Sequence, residues 1–360
     1  MGRSLQIARI AGIRILIHWT FLLLIGWVVY AEVKKGSDTN TILATIVFVL
    51  VLFACVVFHE LGHSLTAKRY GIDTKKITLL PIGGVASLER IPEDPKQELW
   101  VALAGPAVNM VIALLLYPFI ATGRVLSEPS LMNVATVEGF LFSLFWVNVF
   151  LVIFNALPAF PMDGGRVLRA LLAMKLGRIR ATSIASGIGQ VMAVGFVLFG
   201  LVNSAPTLVL IGVFVFFGAQ SENVVVQQLD LLKDYTVRSA MMTNFVTLSP
   251  GETVKDAADK LLSGSDQDLI VVENERAIGI MTRSRIIEAL RENRLATSVM
   301  EVMITDFDTV QVNDRLTEVY SNVQRKPNSF FPVLENKKLM GVIDRTNINE
   351  FVMIRSALRY

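Results

Sequence analysis

Val57-Phe58-His59-Glu60-Leu61-Gly62-His63 is the stretch around which the 360-residue chain is organised. Histidines at i and i+4 lie one turn apart on the same helical face, so two imidazole nitrogens can reach one tetrahedral zinc ion. Glu60, beside the first of them, is placed to take a proton from a water held there. So short a pattern recurs by chance, and its surroundings decide its meaning. From Thr41 to Phe58 there is no charged side chain, which predicts a membrane-spanning helix leading straight into three ionisable residues. Each such residue costs about 2.5–3.5 kcal/mol at the bilayer centre on insertion scales, so together they point to a functional site. A pair of histidines packed at the membrane interface is the bland alternative.

The composition agrees with a membrane chain. It is 53% hydrophobic and 18% charged, whereas soluble domains are about 45–50% apolar and about 25% charged. The single cysteine, Cys55, excludes an intrachain disulfide and a cysteine-built zinc site. A net charge of +3 gives no reason to expect a nucleic-acid partner. The first apolar run is long and is not followed by a small-residue cleavage site, so a cleaved leader is not expected.

Six apolar spans are predicted, at Ile15–Tyr30, Thr41–Ala67, Leu99–Thr122, Val137–Leu157, Thr182–Val202 and Thr207–Val226. Their even number places both ends of the domain on one side. The basic segments all fall there: Arg3, Arg9 and Arg14; Lys68, Arg69, Lys75 and Lys76; and Arg166, Arg169, Lys175, Arg178 and Arg180. The positive-inside rule then makes that side cytoplasmic. Between spans two and three, Ile77–Glu89 reads as a hairpin around Gly83-Gly84, with Pro81 just before. Its edge, close to the histidines in sequence, could accept an extended peptide by strand addition; the plainer reading is a simple turn.

Span three carries Ala104-Gly105-Pro106-Ala107-Val108-Asn109. Pro106 removes a helical hydrogen bond and Asn109 needs a partner in lipid, and helix packing accounts for both. Span four ends in Asn155-Ala156-Leu157-Pro158-Ala159-Phe160-Pro161-Met162-Asp163-Gly164-Gly165-Arg166. The two prolines and two glycines break the helix at membrane depth, where unwound backbone is tolerated only inside protein or beside a wet cavity. A catalytic zinc takes three protein ligands and keeps one position open. The candidates for the third ligand are Asp163, His18, Cys55 and Glu89. Asp163 is the best of these, because broken backbone and small neighbours let its carboxylate approach. Cys55 and His18 read more readily as packing groups.

From Asp230 onward the chain has mixed charge and short elements, as a soluble domain does. It contains a repeat at an offset of 62: Met241 matches Met303, Thr243 Thr305, Phe245 Phe307, Thr247 Thr309, Glu273-Asn274 Glu335-Asn336, and Gly279 Gly341. In each copy a strand (Asp268–Val272; Phe330–Leu334), a turn and a second strand (Ile278–Met281; Leu339–Ile343) lead into a helix.

With these motifs in hand, the first part of the chain, Met1 to about Lys233, resembles the site-2 protease family of intramembrane zinc metalloproteases. The resemblance rests on HisGluLeuGlyHis after an apolar span, AsnAlaLeuProAlaPheProMetAspGly after span four, the AlaGlyProAlaValAsn run and the ProIleGlyGlyVal hairpin. It implies that His59, His63 and Asp163 bind one zinc, that Glu60 is the general base, and that Asn155 helps position or stabilise the substrate carbonyl. An inserted PDZ domain is missing between spans two and four, which groups the chain with members that carry C-terminal regulatory modules.

The repeat resembles a tandem pair of CBS domains, a module that often binds adenine nucleotides. The family's Gly-x-x-Thr-x-x-Asp run is here Gly279 to Arg285 and Gly341 to Asn347, so both copies lack the final acid that holds a ribose. The implied fold is a polytopic α-helical membrane protein, with six transmembrane helices and a short membrane-associated β-hairpin, joined to a soluble α/β tandem CBS module. The expected domains are residues 1–233, 236–294 and 295–360. The expected partners are the lipid bilayer, a transmembrane protein substrate and a second copy of the chain through the CBS domains, with the N-terminus and CBS pair cytoplasmic. Rival readings are a CBS-regulated membrane metal transporter, which needs ionisable groups along several spans, and a non-catalytic membrane scaffold, which the intact ligands and Glu60 disfavour.

Overall fold

The computed structural model describes residues 4–81, 83–88, 92, 94–121, 133–264, 268–325 and 330–358. The chain divides into two units, Met1–Val226 and Gln227–Tyr360.

The first unit runs β1 (Ser4–Ile10), β2 (Ile13–His18), α1 (Phe21–Lys35), α2 (Thr39–Arg69), β3 (Thr74–Leu80), β4 (Gly83–Leu88), α3 (Pro95–Ala121), α4 (Val137–Asn155), α5 (Asp163–Leu176) and α6 (Arg178–Val202). It ends within α7 (Pro206–Leu232). The strands form one sheet in the order β1-β2-β3-β4, parallel only between β2 and β3.

The first expected span is corrected here, because its opening residues lie in β2. Ile13-Arg14-Ile15-Leu16-Ile17-His18 alternates, and Ile13 and Ile15 are buried against the neighbouring elements. That is a strand's period of two, hidden because the apolar run continues unbroken into a helix. The helix that remains, α1, has 15 residues, about 22 Å. Among the described residues five helices are long and apolar enough to cross a membrane: α2, α3, α4, α6 and α7. The turn between β3 and β4 is likewise displaced from the expected one. Pro81 is already in a turn directly after β3, and Gly83 and Gly84 begin β4.

α2 extends over 31 residues, with the Asp38 carboxylate accepting from the Thr41 N–H at its start. At 1.5 Å per residue it is about 46 Å long, more than a hydrocarbon core of about 30 Å. Phe53, Val57 and Leu61, one stripe of α2, pack with Phe21 on the sheet residues Ile13, Ile15, Ile77 and Leu79. His59 and His63 therefore lie on the opposite face, toward α3. There a Cβ on Gly62 would come within 2.7 Å of the Ala104 carbonyl oxygen, the close helix contact that small residues allow in membranes.

The second unit holds β5 (Thr247–Leu248), α8 (Val254–Ser263), β6 (Asp268–Glu273), β7 (Arg276–Thr282) and α9 (Arg283–Arg291). A second set follows: β8 (Val310–Gln311), α10 (Leu316–Arg325), β9 (Phe331–Glu335), β10 (Lys338–Ile343) and α11 (Arg345–Leu358). Each copy pairs its short strand parallel to the first strand of an antiparallel hairpin. Asn274, Glu275 and their counterparts Asn336 and Lys337 have φ of 49, 62, 52 and 67°, as two-residue hairpin turns with positive φ at both centres require. The copies also exchange contacts. Met242 pairs with Val342 of the second hairpin, and Ile304 with Ile280 of the first. A Cβ on Gly279 would meet the Met303 sulfur at 2.2 Å, and one on Gly341 the Met242 carbonyl at 2.5 Å. The matched methionines and glycines of the repeat are thus reciprocal packing pairs, and Ile270, Ile280, Phe330 and Val342 close a shared core.

Candidate metal centre

His59 and His63 stand on α2, buried, with their rings 4.7 Å apart and nearly perpendicular. Asp163 is the first residue of α5 and is also buried. Although it lies 100 residues beyond His63, its Oδ2 comes to 3.1 Å from His63 Nε2 and 3.2 Å from His59 Nε2, and the two Nε2 atoms are 3.1 Å apart. Among the described residues this is the group of three that could hold a metal ion.

The other ring nitrogens fix the protonation pattern. His59 Nδ1 lies 2.6 Å from Asn109 Oδ1, and His63 Nδ1 lies 2.6 Å from the Val101 carbonyl oxygen. Asn109 in turn donates from Nδ2 to Asn148 Oδ1 at 2.8 Å, and Asn148 donates to the Leu144 carbonyl. The carbonyl is an acceptor only, so Nδ1 of His63 donates. The amide chain orients Asn109 Oδ1 toward His59, which donates likewise. Both Nε2 atoms are then lone-pair acceptors, aimed at each other and at a carboxylate oxygen. Three acceptors at this spacing repel one another unless a cation lies among them. Bonds of about 2.0–2.1 Å to a tetrahedral zinc give ligand-to-ligand edges of about 3.3–3.4 Å. The observed triangle is close to that, and an N/N/O donor set suits zinc.

Space at the centre is set by glycine. A Cβ on Gly105 of α3 would sit 2.2 Å from His63 Nε2 and 2.8 Å from His59 Nε2. Gly164 and Gly165 do a different task from the helix breaking expected of them. They lie inside the first turn of α5, where a Cβ would strike the Leu157 carbonyl at 2.3 Å or the Ala159 backbone at 2.6 Å. The loop between α4 and α5 thereby folds onto the helix start that carries Asp163.

Glu60 is half-buried and turned toward the sheet; a Cβ on Gly84 of β4 would come within 2.9 Å of its Cγ. Asn155, the last residue of α4, is half-buried and donates from Nδ2 to its own helix at the Leu151 carbonyl, 3.0 Å. Of the other third-ligand candidates, His18 Nδ1 is 2.7 Å from the Thr20 hydroxyl. Cys55 is buried and accepts from Asn148 Nδ2 at 3.7 Å. Neither belongs to the metal group, and Glu89 lies outside the described residues.

Sequence reasoning gives Asn109 a packing role only and passes over Asn148, Glu98 and Glu222. The signal is there, as amides and acids within apolar helices. Arg169, expected among the basic residues of the cytoplasmic side, is instead fully buried and paired with Glu98 and Glu222.

Comparison with known proteins adds to the geometry. A family model described as Peptidase family M50 matches residues 47–129 and 124–200, and one described as CBS domain matches residues 237–292 and 299–354. Zinc metalloprotease MJ0392 of Methanocaldococcus jannaschii is 34% identical over 350 residues, 97% of this chain and 96% of that protein. Protein sll0528 of Synechocystis is 27% identical, over 97% of this chain and 95% of that protein. Among solved structures, the site-2 protease from Methanocaldococcus jannaschii is 38% identical, covering 61% of this chain and 95% of that chain with a TM-score of 0.46.

Proposed function

The chain belongs to peptidase family M50, the site-2 proteases, and carries a C-terminal pair of CBS domains; from that premise we propose that His59, His63 and Asp163 hold its zinc and that Glu60 is the base of an endopeptidase. It is a multi-pass membrane zinc metalloprotease with membrane protein substrates and a CBS regulatory module. When bound, the zinc supplies a Lewis acid that acidifies water and polarises a peptide carbonyl. The observation that carries the ligand assignment is the triangle of three mutually facing acceptors at 3.1–3.2 Å.

The remaining residues divide the labour. Asn109 and the Val101 carbonyl hold the two imidazoles so that Nε2 faces inward. Glu60, one residue on from His59, is turned about 100° around the helix, so it reaches water beside the ligands instead of joining them. It takes that proton and later returns it to the leaving amine. Asn155, at the end of α4, positions the substrate carbonyl after its amide leaves Leu151. Among the described residues β4 is an edge strand whose face meets Glu60 at Gly84, and its edge suits an extended substrate added as a further strand. A substrate helix has to unwind first, because its carbonyls are already hydrogen-bonded.

α1 is the sixth span in this reading; being short, it crosses with its flanks or with local thinning of the bilayer. The sheet that includes the β3–β4 pair lies at the membrane surface. An even number of spans and the basic segments put the N-terminus and the CBS pair in the cytoplasm of a cell membrane. The domains are residues 1–233, 236–294 and 295–360, with dimerisation through the CBS pair. An adenine nucleotide is the ligand class to assay there, and weak binding is expected because Arg285 and Asn347 stand where an acid would hold a ribose. The assignment is tested by the zinc content of Asp163→Ala, which should fall well below one ion per chain. Stoichiometric zinc at unchanged affinity would refute Asp163 as the third ligand.

A further inference from the structure

One stripe of α3 supports the whole metal group. Glu98, Val101, Gly105 and Asn109 recur at intervals of three, four and four, a single helical face. Asn109 holds His59, the Val101 carbonyl holds His63, and Gly105 leaves room for both rings. Glu98, the remaining member, is buried and faces α5. Its Oε1 accepts from Arg169 Nε at 2.8 Å and also from Arg169 Nη2. Arg169 is wholly buried, six residues after Asp163 on the same helix. Its Nη1 donates to Glu222 Oε1 of α7 at 2.5 Å, and its guanidinium lies over the Phe160 ring at 4.9 Å. Phe160 belongs to the loop that leads into Asp163. One guanidinium therefore ties α5 and its entry loop to α3 and α7.

We propose that Arg169, gripped by Glu98, is the positioning residue for Asp163, so that one face of α3 sets the place of all three zinc ligands. The inference rests on the ligand reading above. A buried ion pair is poor evidence for stability, because desolvation offsets its attraction, and in some proteins such pairs select one geometry instead. Here geometry is demanding: in a sound metal site the metal–ligand distances agree with their usual values to within about 0.2 Å. The start of α5 is otherwise held by packing alone, the entry loop folding onto it and Met162 lying among Ala159, Ala193 and Val215. No side chain caps it at Met162, and Gly164 and Gly165 offer none to lock the first turn. Arg169 lies about 9 Å along a rigid helix from Asp163, so a shift of its seat moves the carboxylate with it.

The test uses the full-length protein in detergent, with zinc affinity read by competition against a chelator and thermal midpoints read with and without zinc. Asp163→Ala, Glu98→Gln, Arg169→Lys and Arg169→Met are compared with the wild type. Glu98→Gln and Arg169→Lys should weaken zinc about 10- to 100-fold, as loss of a residue that orients a ligand does. Arg169→Met should weaken it at least as much, and in each the rise in midpoint on adding zinc should shrink. An ion pair that only holds the fold would lower both midpoints together. If Glu98→Gln does so while keeping zinc affinity within about twofold, the proposal is overturned. Should Glu98→Gln fail to fold, Arg169→Lys, which keeps a buried cation, decides between the same two outcomes. Wild-type zinc affinity in Asp163→Ala would instead overturn the ligand reading on which the proposal stands.

Discussion

Gly105→Ala adds one methyl group at the point where α3 meets the histidines. The new Cβ would lie 2.2 Å from His63 Nε2 and 2.8 Å from His59 Nε2, where ordinary contact begins at 3.4 Å. To clear it, the His63 ring has to retreat by about 1.2 Å, or α3 has to back away from α2 by as much. His63 is held by the Val101 carbonyl and has little freedom to turn. A ligand displaced by about 1 Å is far outside the roughly 0.2 Å within which metal–ligand distances keep to their usual values, and a misplacement of that size costs on the order of 10²-fold in rate. Local helix stability should not suffer, since alanine is favoured over glycine by about 1 kcal/mol within a helix. The variant should therefore be folded and monodisperse in detergent, yet bind zinc weakly and cleave at least about 10²-fold more slowly. Chelator competition and cleavage of a membrane-spanning test substrate measure both. A folded Gly105→Ala with wild-type zinc affinity and rate would show that the glycine is not what makes room for the site.

Asn109→Ala removes the acceptor that fixes the His59 ring and should lower zinc affinity about 10- to 100-fold by the same competition assay; an unchanged affinity would mean that His59 is held by other contacts. In the second unit, burial and the nearby Asp344 carboxylate push the Asp268 carboxyl above the usual range. The folded state then binds a proton more readily than the unfolded one, so ionisation weakens the fold as pH rises from about 4. Asp268→Asn, which keeps an acceptor for the Arg283 N–H, should raise the thermal midpoint at neutral pH and lose that advantage near pH ~4; a lowered midpoint at neutral pH would contradict it. For topology, external thiol labelling in a Cys55→Ser background should mark Ser204→Cys, between α6 and α7, and not Ser356→Cys in α11. Labelling of the latter in intact cells would reverse the orientation.

What is legible in the sequence is whatever is local or repeated. The two histidines one turn apart, the uncharged run before them and the broken backbone around Asp163 all declare themselves over a few residues. The repeat does so through Gly279 and Gly341, whose missing side chains admit the other copy's methionines. What stays hidden depends on pairing across the chain. Asn109 meets His59 from 50 residues away, and Arg169 meets Glu98 from 71. No sequence period links such residues, and each taken alone has an ordinary explanation. β2 is hidden for another reason: its alternating isoleucines run into the apolar residues of α1 without a charge or turn to mark the change before Trp19-Thr20.

The central claim is that His59, His63 and Asp163 bind the metal while Glu60 moves the proton, and one variant separates the two roles. Glu60→Gln keeps the shape and hydrogen-bonding capacity of the side chain, including its seat against Gly84, and removes the base. Zinc content and cleavage of a membrane-spanning test substrate are measured on the same preparation. Zinc should stay near one ion per chain while cleavage falls by about 10²- to 10⁴-fold, the usual worth of a positioned general base. Near-normal cleavage with zinc bound would remove Glu60 from the mechanism.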